Sequence, residues 1–115
     1  MNNSNTKAQP ILNVTETTIT TLMGMAKDFN ARIPQMENGI VYAKQHIEGK
    51  EAAVRVFKRI LRDTKNEERI KIVTKCLEDA EWELAKYQEE LARYESELEN
   101  IKTLKKDFDL IINSL

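Results

Sequence analysis

The chain has 115 residues, enough for one domain, and its formal net charge of −1 gives no overall bias toward polyanionic or polycationic partners. Charged residues make up 32% and aromatics 6%, with three Gly and two Pro; this profile excludes a β fold and a disordered chain and points to long solvated helices. The single cysteine, Cys76, excludes an intramolecular disulfide and fits a reducing compartment.

Residues 1–12 are mostly Asn, Ser, Thr and Gln and read as a flexible N-terminal arm without the apolar core of a secretory signal. From residue 13 to 115 the chain reads as a single helical-hairpin domain. Helix one is expected over about 14–62, opened by Asn13 with Glu16 as a capping pair, although the Thr-rich run 15–21 is a poor helix former. Its apolar stripe runs Ile19, Leu22, Ala26, Phe29, Ile33, Met36, Ile40, Ala43, Ile47, Lys50, Val54, Phe57, Leu61. Steps of three and four are the heptad spacing of a coiled-coil seam. Pro34 interrupts this helix and removes one backbone bond at a cost of ~3 kcal/mol, so a kink or a break is expected there. Lys50 stands within the stripe and is expected to pack its stem while its amine reaches water.

A turn follows over 63–66, where Thr64 and Glu67 have the spacing of a capping box for helix two. Helix two is expected over about 66–114, with a seam of Ile70, Val73, Leu77, Ala80, Leu84, Tyr87, Leu91, Tyr94, Leu98 and Ile101. Beyond Ile101 the apolar residues shift to Leu104, Phe108, Ile111 and Leu115, which reads as a three-residue slip, a stammer. The fold class is therefore all-α: a long antiparallel helical hairpin, coiled-coil-like, expected to form a multi-helix bundle on oligomerisation. Folding at Thr64 pairs residues whose numbers add to about 131, with Val54 against Leu77 and Ile47 against Leu84. Tyr87 and Tyr94 then fall opposite Ala43 and the Met36–Gly39 region, large against small. On the flanks Arg32 faces Glu97, His46 faces Glu83, and Glu51 faces Glu81 with like charge.

Several residues are left unused by the two seams. Ala53, Val56, Ile60, Ile72 and Cys76 fall on one shared flank near the turn, and an extra apolar row of this kind marks an oligomer or partner interface. Trp82 lies at the back of helix two and joins them as an interface candidate, because Trp is favoured as an anchor. Met23 and Met25 are expected to fill the core at the open end. Charge is polarised: residues 55–75 carry eight cations and three anions, while residues 78–99 carry two cations and nine anions. Arg55, Arg59, Arg62, Lys65 and Arg69 form a basic tip that suits an anionic partner.

The chemistry-bearing motifs are missing. There is one histidine, one thiol, no Gly-rich phosphate loop, no His-Glu-x-x-His and no Cys-x-x-Cys, so no catalytic, metal or cofactor site is expected and the chain reads as a non-enzyme. The hairpin outline resembles prefoldin subunits and the small secreted WXG-type hairpins. The connection is too short for the β-hairpins of the former, and the turn lacks the Trp-x-Gly of the latter, so no family is assigned.

The reading is of a non-enzymatic assembly or protein-interaction module, a homo-oligomer or a binder of a protein partner, with no membrane and no small-molecule substrate. A nucleic-acid-binding regulator using the basic tip, and a prefoldin-like client-holding chaperone, are the alternatives. No stretch approaches the ~18 apolar residues of a membrane span, so a cytoplasmic location is expected. The Asn-, Lys- and Ile-rich usage suits a phage or mobile-element protein, which would place it in a virion or host cytoplasm.

Overall fold

The computed structural model describes residues 15–114. The expected arm over 1–12 and the Asn13 cap lie outside the described residues. Two helices make up the described chain, α1 over Glu16–Asp63 and α2 over Glu67–Asn113, and they pack as an antiparallel hairpin.

Thr15 caps α1: its Oγ1 accepts a hydrogen bond from Thr18 N at 3.1 Å, and its carbonyl accepts the first helical bond from Ile19 N at 2.9 Å. A hydroxyl in that position satisfies one of the amides that a helix start leaves unpaired. The helix is not broken at Pro34, which lies inside an uninterrupted run of 48 residues, and no kink is confirmed there. Pro34 stands on the exposed face, so its ring meets no neighbouring helix and the lost bond is the main cost.

The connection is Thr64–Lys65–Asn66. Thr64 N still donates to Ile60 O at 2.9 Å and so extends the first helix rather than opening the second. The cap of α2 is Asn66, whose Oδ1 accepts from Arg69 N at 3.0 Å; the Thr64–Glu67 capping box is therefore corrected. Glu67 and Glu68 occupy the first turn of α2, where the helix dipole favours negative charge.

The hairpin divides into two compact units, one of Met36–Ser96 around the turn and one of the described residues up to Gln35 and from Glu97 on. In the turn-proximal unit Ala43, Val54 and Ala80 are buried. Three contacts between the helices set its register: Lys50 with Glu83, His46 with Tyr87, and Gly39 with Tyr94. The paired numbers add to 133 in all three, against about 131 from the sequence, and each pair sets a seam residue, Lys50, Tyr87 or Tyr94, against a flank residue of the other helix. Tyr94 lies over Gly39 as the large-against-small pattern requires: a Cβ built on Gly39 would stand 3.3 Å from Tyr94 Cε2.

In the distal unit Ile101 is buried, and the Phe29 and Phe108 rings meet edge to face with centroids 5.4 Å apart. The stammer does not occur. Leu104 and Ile111 are 55% and 42% exposed, while Lys105, Phe108 and Ile112 continue the heptad from Ile101. Because α1 keeps strict phase along its whole seam, α2 must keep phase to face it. Lys105 meets that demand by packing its stem and tying its amine to Asp109 Oδ2 at 2.8 Å. Met23 and Met25 are exposed rather than core-filling.

Candidate interaction surface

The hairpin buries little of its own apolar surface. Among the described residues only Ala43, Val54, Ala80 and Ile101 are buried, and no large side chain is fully so. The apolar residues that remain uncovered are therefore the main chemical resource of this molecule.

One flank of the turn-proximal unit can be located from its contacts. His46 lies on this flank of α1, its ring stacked on Tyr87 with centroids 4.6 Å apart and planes 13° apart. Glu83 lies on the same flank of α2, bonded to Lys50 Nζ at 2.9 Å. One heptad further toward the turn these positions become Ala53 on α1 and Cys76 on α2, with Ile60 a heptad beyond Ala53 and Val56 and Ile72 on the outer edge of the flank. Val56, Ile60 and Ile72 are 55%, 39% and 61% exposed, and Ala53 and Cys76 are half-buried. Trp82 stands apart, on the back of α2 and 66% exposed, with Lys86 Nζ 5.2 Å from its ring centroid.

The flank pairs differ from those read in the sequence. Glu83 is held by Lys50 and not by His46, because the two-residue change of register brings the seam lysine level with it. The Lys50 side chain remains 31% exposed, its amine tied to Glu83 at the edge of the seam. Glu81 meets Lys58 at 4.0 Å, which replaces the expected repulsion from Glu51. His46 takes up an aromatic role, set between Tyr87 and Tyr42, whose centroid lies 4.2 Å from its own. Tyr42 was not singled out in the sequence; its position four residues before His46 was the available signal.

Electrostatics follow from this cluster. The Lys50 ammonium is held above its ordinary pKa of 10.5, chiefly by the hydrogen bond to Glu83 and against the opposing effect of burial. The Tyr87 hydroxyl is pushed above 10.0, first by burial and then by Tyr42 and Glu90 nearby.

At the basic tip, Arg55, Lys58, Arg59 and Arg62 line one shallow depression on α1. Asp63 pairs with two of these at the surface: its Oδ2 lies 3.1 Å from Arg59 Nε and its Oδ1 3.3 Å from Arg62 Nε. Among the described residues Arg55, Lys65 and Arg69 have no ion-pair partner. Arg69 contributes its backbone amide to the Asn66 cap, so its guanidinium begins at the start of α2.

In the distal unit an open apolar cleft of about 290 Å³ lies between Ile19, Leu22, Ala26, Phe108 and Ile112. No described helix is long and apolar enough to cross a membrane. Comparison with protein-family models, with curated proteins and with solved structures finds no match to this chain.

Proposed function

We propose that this chain is a non-enzymatic assembly module whose copies associate through the flank that carries Ala53, Val56, Ile60, Ile72 and Cys76. The observation that carries the reading is the exposure of Val56, Ile60 and Ile72 on one side of a hairpin that buries so few residues of its own. Apolar side chains gathered on one face are covered by another chain far more often than they are left in water.

The test is the mass of the particle in solution. Val56→Asp combined with Ile60→Asp should lower the sedimenting mass at unchanged helicity. A wild-type mass equal to one chain, or a variant mass equal to wild type, sinks the proposal.

A second reading is supported by the convergence of Arg55, Lys58, Arg59 and Arg62 on one depression. It has the tip holding nucleic-acid phosphates and predicts binding that weakens steeply with salt. The Asp63 carboxylate between Arg59 and Arg62 counts against it. Loss of all binding at low salt on Arg55→Ala with Arg62→Ala would move the assignment to this reading.

A further inference from the structure

We infer that residues 10–14 of this chain fold back from the start of α1 and cover the apolar cleft of the distal unit, with Leu12 seated beside Met23. The inference goes beyond the assembly reading and does not depend on it. The cleft is lined by Ile19, Leu22, Met23, Ala26, Phe108 and Ile112. On α1 these residues are three and four apart and so share one face. Ile19 and Met23 are 46% and 67% exposed, which leaves two walls of the cleft uncovered. The one charge at its border is already paired, since Asp109 holds the Lys105 amine at 2.8 Å. Such a surface suits an uncharged apolar occupant.

The cap geometry names that occupant. Ile19 N donates to the Thr15 carbonyl and Thr18 N donates to Thr15 Oγ1, which makes Thr15 the N-cap and Ile19 the fourth helical residue. The residue ahead of the cap is Val14. An apolar pair at these two positions is a hydrophobic staple, which packs the first residue on the second and fixes the angle at which the chain enters the helix. Ile19 is also the first wall of the cleft, so a staple from Val14 turns the preceding chain toward it.

The sequence ahead of Val14 matches what the cleft presents. Residues 8–14, Ala-Gln-Pro-Ile-Leu-Asn-Val, carry no charge. Pro10, Leu12 and Val14 alternate, and extended backbone puts alternate residues on one face. Proline suits extended backbone and disfavours helix in the residue before it. Two extended residues span ~6.6 Å. The four helical residues from Ile19 to Met23 span ~6 Å. The two spacings agree, so Val14 at Ile19 sets Leu12 at Met23. The cleft of about 290 Å³ lies at the small end of the range for ligand pockets, which is room for a few side chains. Tethering decides between this segment and a second copy. A site joined to its occupant by a short linker sees it at an effective concentration on the order of millimolar.

The test is a disulfide within one chain. In Cys76→Ser chains, Leu12→Cys is combined with either Met23→Cys or Met25→Cys and exposed to mild oxidation. Met25 stands about 200° round α1 from Met23. An intrachain disulfide is expected with Met23→Cys, whose Cα meets the ~4.4–6.8 Å spacing when Leu12 is docked. It should form about tenfold faster than the disulfide with Met25→Cys. Equal rates overturn the inference. A disulfide between chains assigns the cleft to a second copy and overturns it as well. If neither disulfide forms, amide exchange with the cleft intact decides. Leu12→Asp should speed exchange over residues 19–26 about tenfold, whereas Asn13→Asp should not speed it. A carboxylate near a helix start by itself favours the helix, so faster exchange reports the lost side chain and not the added charge. Unchanged exchange in Leu12→Asp overturns the inference. Both measurements read contacts within one chain, while the sedimenting mass bears on the assembly reading alone.

Discussion

Lys50 Nζ lies 2.9 Å from Glu83 Oε1, and this ion pair joins the two helices from a position that heptad spacing reserves for an apolar side chain. A polar residue at a seam position selects one register over its neighbours and costs stability to do so. Replacing Lys50 by Leu should therefore raise the melting temperature while loosening the pairing of the helices. Amide exchange around Ala43 and Ala80 would report the looser pairing as faster exchange despite the higher melting point.

The same cluster makes the hairpin sensitive to alkali. Lys50 and Tyr87 both have folded pKa values above their ordinary 10.5 and 10.0. A raised folded value means the protonated form is favoured by folding, so each contribution is complete below the ordinary value and is lost as pH rises through the folded one. Melting followed by circular dichroism should show stability falling from about pH 10 upward. The combined Lys50→Met and Tyr87→Phe chain should give a flatter profile; an identical slope in both would exclude these two groups as the cause.

Asn66 is the cap of α2 and Thr64 is not. Asn66→Ala should cost about 1 kcal/mol in urea unfolding, and Thr64→Ala distinctly less. The reverse order would restore Thr64 to the capping position.

The phase of α2 beyond Ile101 yields a third comparison. Ile101 is buried, whereas Leu104 is exposed. Ile101→Ala should cost about 2 kcal/mol or more, while Leu104→Gln should stay within about 0.5 kcal/mol. Equal costs would revive the slipped seam.

Most of the fold was legible in the amino-acid pattern, because apolar residues occupy every seam position of α1 except Lys50 and hold α2 to Ile101. What misled the reading past that point was composition: Leu104 and Ile111 are more apolar than Lys105, yet phase outweighs hydropathy when the facing helix keeps strict heptads. The register differs by two from the sum of about 131 because the contacts that fix it run between seam and flank residues, Lys50 to Glu83 and His46 to Tyr87, which the two stripes alone do not define. Two neighbouring residues, Thr64 and Asn66, were both able to cap, and only the backbone path separates them. The off-seam group of Val56, Ile60 and Ile72 was legible by exclusion from the stripes. Tyr42, an isolated aromatic on a polar-looking face, acquires meaning only when His46 is seen between it and Tyr87.

The three-residue connection Thr64–Asn66 also orders the folding of the chain. Lys50 and Glu83 close a loop of 33 residues, whereas Phe29 and Phe108 are separated by most of the sequence. Since the entropy of closure grows with loop length, pairs nearest the turn form first and each closed pair shortens the next loop. The chain thus behaves as a zipper whose slider starts at Asn66. Substitutions near Leu61 and Ile70 should slow refolding in stopped-flow traces, while those at Phe29 and Phe108 should chiefly speed unfolding.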